Sequence, residues 1–204
     1  DIQAAYSCGL RDFGENRIEE AEEKLPLIRD ELADDPPTWH MIGHVQSRKA
    51  ERAIEVSDII HSVESMRLIR RLDRFAGEVG KSMPILLEVN VSGEASKYGF
   101  PAWDEGTFEA FGAEIEGLGQ FANLEVQGLM TMAPIVEDPE ETRPVFARLA
   151  AIADRLRKSH TYSTWGELSM GMTDDFWVAI EEGATIIRVG RAVFGPASYY
   201  EGEI

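Results

Sequence analysis

The sequence predicts an α/β fold, a (β/α)8 TIM barrel whose first strand is missing. Short apolar strands alternate with longer amphipathic helices along the chain, a pattern typical of a parallel sheet covered by helices on both faces. We count seven strands at roughly 29 residues a unit, whereas a closed barrel has eight strands in about 250 residues. The sequence also begins inside a helix that no strand precedes. We therefore expect residues 1–204 to form one barrel domain that is incomplete at its N-terminus.

The spacing of apolar residues predicts each element in turn. Apolar residues at helical spacing from Ile18 to Ile28 predict the helix at about 17–33, and Ser65 is a good N-cap for the helix that follows the third strand. The predicted strands are 10–13, 39–43, 58–63, 84–91, 126–132, 167–170 and 185–189. The other predicted helices are 1–9, 46–55, a long region after the loop 92–101 that reaches about 118, 140–158 and 174–182.

An open doubly wound sheet is the competing architecture, since it also alternates strands and helices. That fold commonly carries a Gly-x-Gly-x-x-Gly turn after an early strand, where it binds the phosphates of a dinucleotide. No such turn follows an early strand of this chain. The barrel is therefore the favoured interpretation.

Composition excludes several classes of function. The net charge is −17, from 20 basic and 37 acidic residues, and such an acidic surface repels nucleic acid and anionic membranes. No apolar run approaches the roughly 20 residues that span a bilayer, and the polar start lacks the basic residues of a signal peptide. Cys8 is the single cysteine, which excludes an internal disulfide and favours the cytoplasm. We expect it to be a buried structural thiol.

Polar residues follow the predicted strands, at the end of a barrel where active sites are found. Their alternative role is to cap helices and to satisfy loop backbones, but several of them converge on one face. These residues are Asn16, His44, Gln46, Asn90, Ser92, Thr131, Ser169 and Arg188.

Two loops in the last two units indicate a phosphate site, because loops after the last two barrel strands commonly bind phosphate. In the loop 168–173, Gly171 permits close approach of the backbone to a ligand, and a helix start follows whose free N–H groups attract anions. The alternative is a plain helix start. In the loop 187–191, Gly190 and the N–H of Arg191 offer a second contact.

Arg188 lies between two apolar residues of the last predicted strand and points to the opposite face from both. A charge inside a barrel is costly unless it is paired. A ligand or a structural carboxylate must therefore face Arg188. No metal site is predicted, because His40 and His44 have no third ligand at a recognisable spacing.

Ordered sequence blocks from residue 1 to about 195 resemble the pyridoxal phosphate homeostasis proteins, which are single-domain relatives of the alanine racemase barrel. The blocks are Phe13-Gly14-Glu15-Asn16, Trp39 to Gln46, Val89 to Glu94, Ser96 to Phe100, Gly128 to Pro134, Leu168 to Met172 and Ile187 to Gly190. The resemblance implies a monomeric barrel of the alanine racemase N-terminal type. It also implies pyridoxal 5′-phosphate (PLP) at the carboxyl ends of the strands.

The resemblance also implies roles for individual residues toward PLP. Arg188 would face the pyridine nitrogen and Asn16 would lie along the ring. Because an arginine has a pKa above about 12, it would keep that nitrogen unprotonated, and the ring would be a poor electron sink. The phosphate would be held by Ser169, Gly171, Met172, Gly190 and Arg191.

The implied function is a non-catalytic PLP carrier that buffers the cofactor for vitamin B6 and amino-acid homeostasis and delivers it, with PLP-dependent apo-enzymes as recipients. One alternative is a PLP-dependent amino-acid racemase. A racemase of this barrel type resembles a two-domain dimer, and we expect no room for its second domain after the last strand of this sequence. Another alternative is a barrel enzyme that acts on a different phosphorylated metabolite. The family's Schiff-base lysine lies on the missing first strand, so it matches none of Lys24, Lys49, Lys81, Lys97 and Lys158.

Overall fold

A computed structural model describes residues 1–32 and 34–195 of the chain. The strands are β1 (Asp12–Glu15), β2 (Thr38–Met41), β3 (Ile59–Val63), β4 (Met83–Asn90), β5 (Phe100–Pro101), β6 (Leu124–Met130), β7 (Glu167–Met172) and β8 (Ile186–Arg188). The α-helices are α1 (Ile2–Ser7), α2 (Ile18–Glu31), α3 (Ala50–Val56), α4 (Met66–Glu78), α5 (Glu105–Ile115), α6 (Arg143–Ser159), α7 (Phe176–Glu181) and α8 (Arg191–Phe194). Short 3-10 helices precede α3 and α6 and follow α5.

The strands form one parallel sheet in the order β1-β2-β3-β4-β6-β7-β8, with the two-residue β5 attached beside β4. Each main strand pairs with the next main strand along the chain, and helices connect them. The sheet curls into a nearly closed barrel in which β1 and β8 are the two ends. The predicted barrel architecture is thereby confirmed, and the doubly wound alternative is wrong because no strand order reverses.

Apolar side chains form two separate layers on opposite faces of the strands. The larger layer lies between the strands and the helices and includes Trp39, Phe146 and Trp165. The smaller layer contains Ile59, Leu86 and Met130, with Ile186 packed against it. Because side chains alternate along a strand, the residues between the members of the large layer face the barrel interior. Polar and charged side chains occupy much of that interior.

Several predicted boundaries differ from the observed ones, and two of the differences have a clear physical reason. The first strand was predicted at 10–13 but lies at Asp12–Glu15, because Leu10 is exposed whereas Phe13 and Glu15 are buried. The predicted loop 92–101 ends in β5, where Phe100 is buried. Gly99 makes this possible, since its φ of +107° and its closeness to β4 leave no space for a side chain. The helix predicted to follow this loop and to reach about residue 118 is α5, which begins at Glu105 and ends at Ile115.

Local features at the helix ends confirm one expectation and correct another. The Ser65 side chain accepts a 3.3 Å hydrogen bond from the N–H of Leu68, as an N-cap does. Cys8, expected to be buried, is a free and exposed thiol, because α1 has ended before it at Ser7. No helix in the described ranges is long and apolar enough to cross a bilayer.

Candidate functional site

The guanidinium of Arg188 lies at the carboxyl ends of β6, β7 and β8. Its Nη1 donates to the Oγ of Ser169 at 2.7 Å, and its Nη2 donates to the carbonyl oxygen of Thr131 at 2.9 Å. Thr131 in turn donates its hydroxyl to the carbonyl oxygen of Val89 at 2.8 Å. Three strand ends therefore fix the position of one charged group.

Arg188 has no carboxylate within ion-pair distance in residues 1–32 and 34–195. Burial lowers the pKa of its guanidinium to about 10, while the more distant carboxylates of Glu88 and Asp175 oppose this shift. The group stays protonated at neutral pH. Of the two partners that its position requires, a ligand is therefore favoured over a structural carboxylate.

Glu88 lies inside the barrel on β4 and is almost wholly buried. Burial and the carboxylate of Glu64 raise the pKa of Glu88 to about 7, and Arg188 acts against this rise. Glu64 Oε2 lies 3.1 Å from His44 Nδ1, and the ring of His44 stacks on Tyr98 at 4.3 Å between centroids. The barrel interior therefore contains a buried carboxyl group, Glu88, that is close enough to Arg188 to respond to its charge.

Ser169 is completely buried, and its hydroxyl points into the barrel. Besides the hydrogen bond from Arg188, its Oγ lies 2.8 Å from His61 Nδ1. These two contacts engage the hydroxyl within the barrel wall. The hydroxyl of Ser169, which the sequence predicts to hold the phosphate, is thus already hydrogen-bonded to two side chains of the barrel.

The loop after β7 is shaped mainly by its own helix. Gly171 has a φ of +90°, and a Cβ there would lie 2.6 Å from the Cβ of Ala179 on α7. The N–H of Met172 donates to the Asp175 side chain at 2.6 Å, and Asp175 is the residue that precedes the helix. The predicted helix start at residue 174 is therefore moved to Phe176, and the loop is tightly packed on that side.

The loop after β8 is more open. A Cβ at Gly190 would meet no atom within 4 Å, and the side chain of Arg191 forms an ion pair with Asp174 that joins the two loops. Among the described residues, the N–H groups of Arg191 and Ala192 donate to no backbone carbonyl. Asn16, directly after β1, is exposed at the same end of the barrel. These groups are free to contact a ligand.

Four of the five lysines donate to a carboxylate or to a backbone carbonyl oxygen. Lys24 pairs with Glu15 at 2.8 Å, and Lys49 pairs with Glu19 at 2.6 Å. Lys81 donates to the carbonyl oxygen of Ser57 at 2.6 Å, and Lys97 donates to that of Met132 at 2.7 Å. Lys158 lies in the last turn of α6. Lys97 thus contacts the residue that directly follows Thr131.

His61 and Glu88, which are both buried in the barrel interior, are not among the site residues predicted from the sequence. A signal was present for each, because a histidine and a carboxylate interrupt otherwise apolar strands at positions that face inward. Among the residues that the structure describes, no cluster of three or more histidine, cysteine or acidic side chains could hold a metal ion.

We expect His61 to make stability depend on pH. Burial, with further effects of His40 and Arg188, lowers its pKa from 6.5 to about 2. Between these values the unfolded chain binds a proton that the folded chain does not, so stability falls as pH decreases, by at most about 1.4 kcal/mol per pH unit. Glu88, raised from 4.5 to about 7, has the opposite effect between those two values.

The effect of His61 should therefore be clearest below pH 4.5, where Glu88 is protonated in both states. Urea unfolding of the native protein and of His61→Gln, measured from pH 3 to 7, checks this. Below pH 4.5, the free energy of unfolding of the variant should change with pH less steeply than that of the native protein, by up to about 1.4 kcal/mol per pH unit. Equal slopes in the two proteins would show that His61 titrates normally.

A family model described as "Alanine racemase, N-terminal domain" matches residues 2–198. The chain belongs to this family. A relative within the family, the pyridoxal phosphate homeostasis protein of Aquifex aeolicus (strain VF5), is 37% identical over 198 residues, which are 97% of this chain and 82% of the relative. The protein of the same name from Pseudomonas aeruginosa is 40% identical over 200 residues, covering 97% of this chain and 80% of the relative.

A solved structure from Synechococcus elongatus PCC7942, PipY with PLP bound, has the same fold as this member of the alanine racemase N-terminal family. The TM-score is 0.82 at 41% identity, over 95% of this chain and 86% of PipY. The predicted resemblance to the pyridoxal phosphate homeostasis proteins is confirmed by these relatives.

Proposed function

We propose that this protein binds PLP at the carboxyl ends of its barrel strands and acts as a non-catalytic carrier that buffers and delivers the cofactor. The observation that carries the proposal is the charged guanidinium of Arg188, held by Ser169 and Thr131 without a carboxylate partner among the described residues. The PLP-bound state of PipY, 41% identical to this chain, supports the choice of ligand.

The donor groups fit PLP, which combines an anionic phosphate with a pyridine nitrogen that can accept a hydrogen bond. Arg188 would donate to the nitrogen, and Asn16 would lie along the ring. The open backbone at Gly190 and Arg191 would hold the phosphate by N–H groups and by the charge of the arginine. Gly171 and Met172 would line the phosphate on the facing loop, where the N–H of Met172 donates to Asp175. Ser169 would support this arrangement through Arg188.

When bound, PLP supplies an electron-accepting ring whose strength depends on protonation of its nitrogen. Arg188 keeps its proton at neutral pH, since its pKa is about 10, and so would donate a hydrogen bond to that nitrogen without transferring a proton. This would weaken the ring as an electron acceptor and would suit storage better than turnover. We further propose a cytoplasmic monomer in one barrel domain, with PLP-dependent apo-enzymes as recipients.

The test starts from the native protein isolated from its own cells. We expect its intact mass, after reduction with borohydride, to include a pyridoxyl phosphate group, and we expect no racemisation of L-alanine when PLP is present. Rapid racemisation would favour the racemase alternative instead. A native protein that neither contains nor takes up PLP would favour an enzyme for another phosphorylated metabolite.

A further inference from the structure

A line of hydrogen-bonded side chains crosses the barrel interior from one end to the other. His61 on β3 joins Ser169 on β7 at 2.8 Å through its Nδ1, and joins His40 on β2 at 2.8 Å through its Nε2. The Nε2 of His40 reaches Asp12 on β1 at 3.1 Å. With the bond from Arg188 to Ser169 at 2.7 Å, five side chains from five strands are connected.

We propose that this chain runs in a single direction, from Arg188 through Ser169, His61 and His40 to Asp12, and that it fixes the orientation of the Arg188 guanidinium. Ser169 and His61 are then positioning residues for the contact between Arg188 and PLP. This last step rests on the proposed function.

The two ends of the chain determine its direction. A guanidinium can only donate hydrogen bonds and a carboxylate can only accept them. Ser169 therefore accepts from Arg188 and gives its own proton to His61 Nδ1. His61 then donates from Nε2 to His40 Nδ1, and His40 donates from Nε2 to Asp12. Every side-chain polar hydrogen of Ser169, His61 and His40 then has an acceptor, and both histidines are neutral with the proton on Nε2.

The opposite direction leaves groups unsatisfied. If His61 donated from Nδ1 to Ser169, the serine proton would need a third partner, and Oγ has only His61 and Arg188 as polar partners among the described residues. His40 would also turn a lone pair toward Asp12 unless it carried a second proton. Burial favours a neutral His61, which agrees with the first direction.

The chain connects a buried end to a solvated one. Ser169 and His61 are completely buried, the side chain of His40 is 11% exposed, and that of Asp12 is 72% exposed. Asp12 and His40 line a cavity of about 510 Å³ at the amino-terminal ends of the strands. The acceptor that sets the direction is therefore accessible to substitution without disturbing the packed interior.

The first experiment is nitrogen-15 NMR of the protein without PLP. We expect Nε2–H tautomers for both His40 and His61, and separate, slowly exchanging signals for the two Nη groups of Arg188. A His61 tautomer protonated at Nδ1, or averaged Nη signals in the unmodified protein, would overturn the proposal. This result does not depend on whether PLP binds.

The second experiment uses matched substitutions at two buried serines. Ser169→Ala should average the Arg188 Nη signals, weaken PLP binding about tenfold, and shift the absorption maximum of the bound cofactor. Ser62→Ala is the control, because Ser62 is equally buried and its hydroxyl binds the carbonyl oxygen of Gly43 outside the chain. Identical Arg188 signals in the two variants would refute a positioning role.

A third pair of variants tests the far end. Asp12→Ala removes the terminal acceptor, so His61 should populate both of its neutral tautomers. Asp12→Asn keeps a carbonyl oxygen as acceptor and should restore the single Nε2–H tautomer. If the tautomer is unchanged in Asp12→Ala, the direction is not set by Asp12 and the proposal fails there. If the NMR results hold but the unmodified protein does not bind PLP, it is the proposed function that fails.

Discussion

Replacing Arg188 with alanine is expected to weaken PLP binding by about ten- to a hundredfold. A hydrogen bond from a charged group contributes about 1.5–3 kcal/mol, and each 1.4 kcal/mol corresponds to about a tenfold change in Kd. The removal also leaves Ser169 Oγ and the carbonyl oxygen of Thr131 without their donor. Absorption and fluorescence titrations with PLP measure the change.

The control for this substitution is Arg74→Ala, on the outer surface of α4, where the side chain is 68% exposed and pairs with Glu78. It removes one positive charge without touching the barrel interior, and it should leave the PLP affinity within about twofold, as expected for a surface ion pair of small energy. An Arg188→Ala protein that stays folded and binds PLP like the unmodified protein would show that Arg188 is structural.

Replacing Gly128 with alanine is expected to lower the free energy of unfolding by about 3–5 kcal/mol. A Cβ at this position would lie 1.9 Å from the carbonyl oxygen of Glu167, its paired residue on β7. The obstacle is backbone, so no rotamer change relieves it, and β6 and β7 must separate. Urea unfolding and thermal melting measure the loss.

Gly106→Ala is the matched control, since Gly106 lies in the first turn of α5 and the nearest atom to a Cβ there is 3.7 Å away. Alanine favours a helix over glycine by up to about 1 kcal/mol, so this variant should be as stable as the unmodified protein or more so. A Gly128→Ala protein that unfolds with the stability of Gly106→Ala would mean that the contact between β6 and β7 is looser than described.

The sequence predicted the fold well because short strands rich in apolar residues alternate along the chain with amphipathic helices. The order of the strands follows from that alternation. The boundaries were less predictable, as at Leu10, because exposure of one apolar residue depends on what packs over it in the folded chain.

The site was predicted in part. The alternation of side chains along the last strand predicted that Arg188 faces away from its apolar neighbours. Its lack of a carboxylate partner among the described residues agrees with a ligand site. The role of the Ser169 hydroxyl could not be foreseen, because His61 is 108 residues away along the chain and meets Ser169 only when the barrel curls. Contacts of that separation leave no local pattern.

The two apolar layers give the two faces of each strand different roles. The face toward the helices contains most of the large apolar side chains, while the face toward the interior has a small apolar cluster and the polar chain that ends at Arg188. Alternate residues of one strand therefore experience different constraints. A change of an interior polar residue therefore alters the contacts offered to a ligand, while the large apolar layer against the helices keeps its composition.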